Sequence, residues 1–226
     1  MKPRPSTSRF RGRVELTRSR LIQAAEKIFA RDGFEAARLE EIAVEAGYTR
    51  GAFYANFKSK EDLFLALLER EISSRIDAVE TRINQFREPE GRLRAFREFF
   101  LTVSQDRRWS LLALEFKLFA VRHPEVKTRL AALNRRLVGS RVGIFQEIME
   151  ESGRKLPASA SAVARSLSAV ANALTLEHML DRTVISEEAL QKILANYFDS
   201  LTGIPDTRAV KAAQGAGSLR KRRVAS

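Results

Sequence analysis

Apolar residues recur at three- and four-residue spacing along most of this chain. Leu21, Ala24, Ala25, Ile28 and Phe29 mark one face of a first helix. Thr17 stands where an N-cap is needed. Asp32-Gly33 ends the run, because glycine tolerates the left-handed conformation at a helix C-terminus. A short helix follows at 39–46, then a turn at Gly47, Tyr48 and Thr49, then a second short helix at 50–57. Ser59 can cap a long fourth helix from Lys60. Its stripe of Leu63, Phe64, Leu67, Leu68, Ile72, Ile76, Val79 and Ile83 continues until Glu88-Pro89-Glu90-Gly91 stops it. The same spacing predicts helices over 92–104, 109–122, 125–152, 159–180 and 186–202. No segment alternates with the period of a strand, so the expected fold class is all-α.

Composition narrows the chemistry. With 44% hydrophobic residues the chain can build a core. It has no cysteine, which removes disulfides, cysteine-held zinc and thiol nucleophiles. Two histidines, no glycine-rich phosphate loop and no His-Glu-x-x-His pair leave an all-α enzyme with little support. No cofactor and no metal are expected. No run approaches the ~20 apolar residues of a membrane span, and the basic N-terminus has no apolar region behind it. A soluble, cytoplasmic protein without membrane contact is the expectation.

The net charge of +12 is unevenly placed. Residues 1–20 carry seven Lys/Arg against one acid, and residues 206–226 carry six against one. These ends hold +6 and +5 of the total, leaving +1 for everything between. Basic ends of this kind attract polyanions, and they equally suit solvated, disordered termini.

Residues 39–60, LEEIAVEAGYTRGAFYANFKSK, have the layout of a helix-turn-helix. Ile42 and Ala43 face inward. Gly47 opens the turn, where a positive φ is easiest without a Cβ. Thr49 has the hydroxyl to cap the next helix, and Phe53 and Phe57 hold that helix to the core. The opposite face carries Arg50, Gly51, Ala52, Tyr54 and Asn56. Arg50 suits guanine O6 and N7, while Gly51 and Ala52 admit close approach to base edges. The Tyr54 hydroxyl and the Lys60 ammonium suit phosphates.

The stretch TRSRLIQAAEKIFARDGFEAARLEEIAVEAGYTRGAFYANFKSKEDLF closely resembles the DNA-binding domain of the tetracycline-repressor (TetR) family, and looks most like its multidrug-repressor (AcrR-like) branch. The resemblance implies a recognition helix at 50–57, phosphate contacts near Tyr54 and Lys60, a homodimer on a double-stranded operator, and a C-terminal domain that binds a small ligand. Two positions depart from the family pattern. Arg38 stands where Thr or Ser usually caps the second helix, so phosphate contact there would be by charge. Tyr48 replaces a smaller turn residue.

Four segments are expected: a basic disordered arm at 1–14, the helix-turn-helix domain at 15–75, a helical ligand-binding and dimerisation domain at 76–205, and a basic disordered tail at 206–226. The helices at 159–180 and 186–202 suit a four-helix dimer interface about a twofold axis. A small apolar or amphipathic effector would lie against Trp109, Phe116 and Phe119, with Asn172 and His178 as polar anchors. The reading is a ligand-responsive repressor on a palindromic operator. An activator, or an architectural binder using the basic ends, is the alternative.

Overall fold

In a computed structural model the described residues are 7–204, and every regular element among them is a helix. The elements are α1 (Thr7–Ala36), α2 (Leu39–Glu45), α3 (Arg50–Tyr54), α4 (Lys60–Ile83), α5 (Pro89–Ser104), α6 (Arg107–Arg122), α7 (Pro124–Glu151), α8 (Ala160–Leu180) and α9 (Glu187–Thr202). Two compact units result. One takes residues 7–81 together with Asp106–Arg141. The other takes Arg82–Gln105 and residues 142–204.

The first unit is built on a core shared by α1, α2, α3, α4, α6 and the start of α7. Leu21, Ala25, Phe29, Ile42, Phe53, Leu63, Phe64, Leu67 and Phe116 are buried in it. Its centre is aromatic. The Phe34 ring lies 5.1 Å from Phe64, 4.9 Å from Phe116 and 4.8 Å from Phe119, while Phe64 and Phe116 stack at 4.1 Å. Such pairs add directional energy to the burial of large apolar area.

Gly33 brings Phe34 there. It adopts φ 79 and ψ 172 and breaks the last turn from the rest of α1. The break leaves the Phe34 N–H without a helical acceptor, and the Glu115 carboxylate of α6 accepts it at 3.0 Å. A Cβ on Gly33 would meet that carboxylate at 3.0 Å.

In the second unit α8 and α9 pack together, and both pack on α5. Phe145 and Phe198 are fully buried, and Phe96 stacks on Phe145 at 5.2 Å. Arg97 holds Asp199 through two nitrogens, at 2.5 and 2.8 Å, joining α5 to α9. Arg154 donates to the Gly203 carbonyl just past α9, and to Glu90 at 2.7 Å. Ser159 and Ser186 cap α8 and α9.

Some expectations need correction. Thr17 is no N-cap: α1 starts at Thr7, and the Thr17 hydroxyl donates to the Arg13 carbonyl at 2.9 Å. Residues 7–14 of the expected disordered arm are helical. The rest of that arm and the tail at 206–226 lie outside the described residues. Phe116→Ala should lower stability in urea by about 3–5 kcal/mol, the usual cost of emptying an aromatic core site. Leu118→Ala, at a side chain 53% exposed on the same helix, should shift it by less than about 0.5 kcal/mol.

Candidate nucleic-acid interface

The presented surface is built by α2, α3 and the turn between them. Gly47 has φ 75. The Gly47 and Tyr48 amides return to the Val44 and Ala43 carbonyls at 2.9 and 2.8 Å, closing the C-terminus of α2 with the left-handed glycine such a stop requires. Tyr48 is half-buried and packs on the core. Thr49 then caps α3, accepting the Ala52 N–H on its hydroxyl at 3.3 Å.

Five residues are too few to hold a helix alone. Burial of Phe53 and Phe57 holds this one. A side chain absent from the expected site finishes the job. Arg18 of α1 lays its guanidinium 4.2 Å over the Phe57 ring and donates to the Asn56 carbonyl at 3.0 Å. Only its cationic type hinted at this; the partner lies 38 residues away.

The remaining faces point outward. Arg50, Gly51 and Tyr54 are exposed and Ala52 is half-buried. Arg50 sits 5.6 Å over the Tyr54 ring and meets the Glu40 carboxylate at 2.9 Å. The Tyr54 hydroxyl, and then the Glu40 charge, push the Arg50 pKa further up, so the guanidinium stays cationic. Arg38 is exposed and precedes α2 without supplying a side-chain cap.

Two residues of the expected contact set also have internal partners. Lys60 donates to the Glu35 and Ala37 carbonyls at 2.7 and 3.2 Å, with its ammonium 4.9 Å over the Phe34 ring. Burial pulls its pKa down from the ordinary lysine value. The Asn56 amide donates back to the Ala52 carbonyl at 2.8 Å. α3 is also shorter than the expected 50–57, ending in a tight turn at Phe57.

The expected effector residues are not gathered within one unit. Trp109, Phe116 and Phe119 belong to the first, and Asn172 and His178 to the second. Phe116 is fully buried core. Trp109 takes the Arg75 guanidinium over its ring, and Phe119 stacks on His123 at 3.9 Å. His178 is 2% exposed, with Nδ1 2.6 Å from the Ile185 carbonyl, so it closes the α8–α9 connection. Asn172 is partly exposed on α8. No described helix is long and apolar enough to cross a membrane.

Comparison with known proteins agrees with this geometry. Residues 21–67 match the pattern of bacterial regulatory proteins of the tetR family, and residues 89–203 match the C-terminal pattern of BetI-type transcriptional repressors. The chain belongs to the TetR family. The repressor NicS of Pseudomonas putida is 30% identical over 156 residues, covering 63% of this chain and 66% of NicS. The activator FasR of Mycolicibacterium smegmatis is 35% identical over 83 residues, 37% of this chain and 38% of FasR. AcrR of Shigella flexneri is 35% identical over 105 residues, 44% of this chain and 48% of AcrR. The chain thus matches less than two thirds of the length of each of these relatives. Among solved structures, the fatty acid degradation regulator FadR of Bacillus halodurans superposes with a TM-score of 0.66 at 15% identity, over 90% of this chain and 98% of that one. At that identity the likeness is one of fold. TetR-family proteins are regulators of transcription, not enzymes.

Thr49→Ala should lower the stability of the helix-turn-helix by about 1 kcal/mol through loss of the cap, read in urea unfolding. Lys60→Met should lower the unfolding midpoint and leave the salt dependence of DNA binding unchanged. A salt slope smaller by about one, with stability intact, would put the ammonium on a phosphate instead.

Proposed function

We infer that this chain is a transcriptional repressor that reads a palindromic operator as a homodimer, through α3, and releases it when a small effector binds. One observation carries the DNA-reading part. A short helix, capped by Thr49 and pinned by Phe53, Phe57 and Arg18, holds Arg50, Gly51 and Tyr54 out to solvent. Gly51 supports the same reading. A Cβ there would meet nothing closer than the Thr49 hydroxyl at 3.8 Å, so internal packing does not demand glycine. Close approach of a base edge does.

Arg50 is assigned to guanine in the major groove. Tyr54, Arg38 and the Thr49 region are assigned to the phosphates that set register. Lys60 and Asn56 act behind this surface, bracing it. Repression is favoured over activation by the extent of the likeness. The pattern over residues 89–203 is that of a repressor C-terminal domain, and NicS aligns over nearly twice the length of FasR. The dimer is assigned to α8 and α9, where Met179, Leu180 and Ile193 are exposed. Two copies would set their α3 helices about 34–36 Å apart, one turn of duplex. Such a protein works in the cytoplasm, where its operator is.

An apolar or amphipathic effector is proposed. FadR of Bacillus subtilis, with a TM-score of 0.63 at 18% identity, was solved with stearoyl-CoA. A long-chain acyl thioester is therefore the first class to try. Trp109, Phe119 and Asn172 remain candidates for contact with it, while Phe116 and His178 have structural tasks.

Selection of bound duplexes from a random pool by the purified protein tests the reading. A palindromic site should emerge, with its halves spaced by one helical turn. Arg50→Ala should lose about ten- to hundred-fold of the preference for that site over unrelated duplex. A variant that keeps the full preference would place the reading surface elsewhere.

A further inference from the structure

We propose that Glu40 is a specificity-determining residue: its carboxylate engages Arg50 until a base edge replaces it, so that docking on the backbone alone is disfavoured. The proposal rests on the DNA-reading function inferred above. Glu40 lies in the first turn of α2, where the free N–H groups at the helix start favour a carboxylate. From there it meets the Arg50 guanidinium of α3 at 2.9 Å, across the Gly47 turn. The pair stands in solvent, with side chains 54% and 63% exposed. It is therefore weak and readily exchanged.

The two kinds of DNA contact exchange it on different terms. Unrelated duplex, held by its backbone and without a guanine in register, offers Arg50 a phosphate oxygen, an acceptor equivalent to the carboxylate it already has. The same approach brings Glu40 against the charge of the backbone. A guanine offers O6 and N7 together, which the guanidinium fork fits with two N–H groups. The carboxylate itself accepts from an amino group, that of cytosine above all, and is repelled by the acceptors of guanine and thymine. Glu40 thus subtracts more from backbone docking than from base reading.

The neighbouring carboxylates supply the control. Glu41 pairs with Arg31 at 3.0 Å, and Glu45 with Lys27 at 2.8 Å. These three acids share one short helix, and only Glu40 holds a cation of α3.

The test uses the full chain and its Glu40→Gln and Glu41→Gln variants. Each is titrated over a range of salt against two duplexes: one recovered from a random pool by the wild-type protein, and a scrambled version of it. Glu40→Gln should bind the scrambled duplex several-fold tighter, with a salt slope steeper by about one as Arg50 becomes free for phosphate. Binding to the selected duplex should change less, so the ratio falls. Glu41→Gln, which removes the same charge, should leave the ratio near wild type. An unchanged ratio in Glu40→Gln, or an equal fall in both variants, would overturn the proposal. A wild-type protein that recovers no preferred duplex would overturn the DNA-reading function itself, and this proposal with it.

Discussion

The left-handed break at Gly33 is the constraint on which the first unit depends. It turns the Phe34 ring into the aromatic centre and frees the Phe34 amide, which the Glu115 carboxylate accepts. A polar group in such a place is costly unless it is bonded. Lys60 completes the arrangement, covering the Phe34 ring and taking the carbonyls of Glu35 and Ala37. A single residue with positive φ thereby fixes the end of α1, the start of α4 and the side of α6 together.

The reading surface inherits its geometry from this core. α3 has no stability of its own at five residues. Its position comes from Phe53 and Phe57 beneath it, Thr49 before it and Arg18 at its end. Phe53 and Phe57, buried beneath α3, lie away from the exposed Arg50 and Gly51. Structure and recognition are thus divided between opposite sides of one short helix.

Much of this was legible in the chain. Apart from the short α3 and the start of α5 at Pro89, the helices from α2 to α9 follow the apolar spacing closely, because each buries one stripe against its neighbours. Thr49, Ser59, Ser159 and Ser186 all cap as their types suggest. The early start of α1 was not legible. Residues 11–16 are exposed, so they leave no apolar stripe to read. Lys60 and Asn56 show a second limit. A lysine or an asparagine beside a reading helix fits a phosphate or a base by type alone. Their partners, the Glu35, Ala37 and Ala52 carbonyls, are backbone atoms that no side-chain pattern marks. The effector residues meet a related limit: an aromatic at helical spacing serves a core as readily as a pocket, and Phe116 is buried in the core.

The open space around Gly51 has a consequence for how such a protein changes over generations. The fold asks nothing of this position, and of Arg50 and Tyr54 little beyond their mutual contact, the exposed pair with Glu40 and the Tyr54–Phe53 ring contact. Residues of the proposed DNA-facing surface are free to vary without eroding the stability that keeps the chain folded. Descendants of one gene can therefore drift from operator to operator on an unchanged scaffold, and divergence of address need not wait for compensating change in the interior.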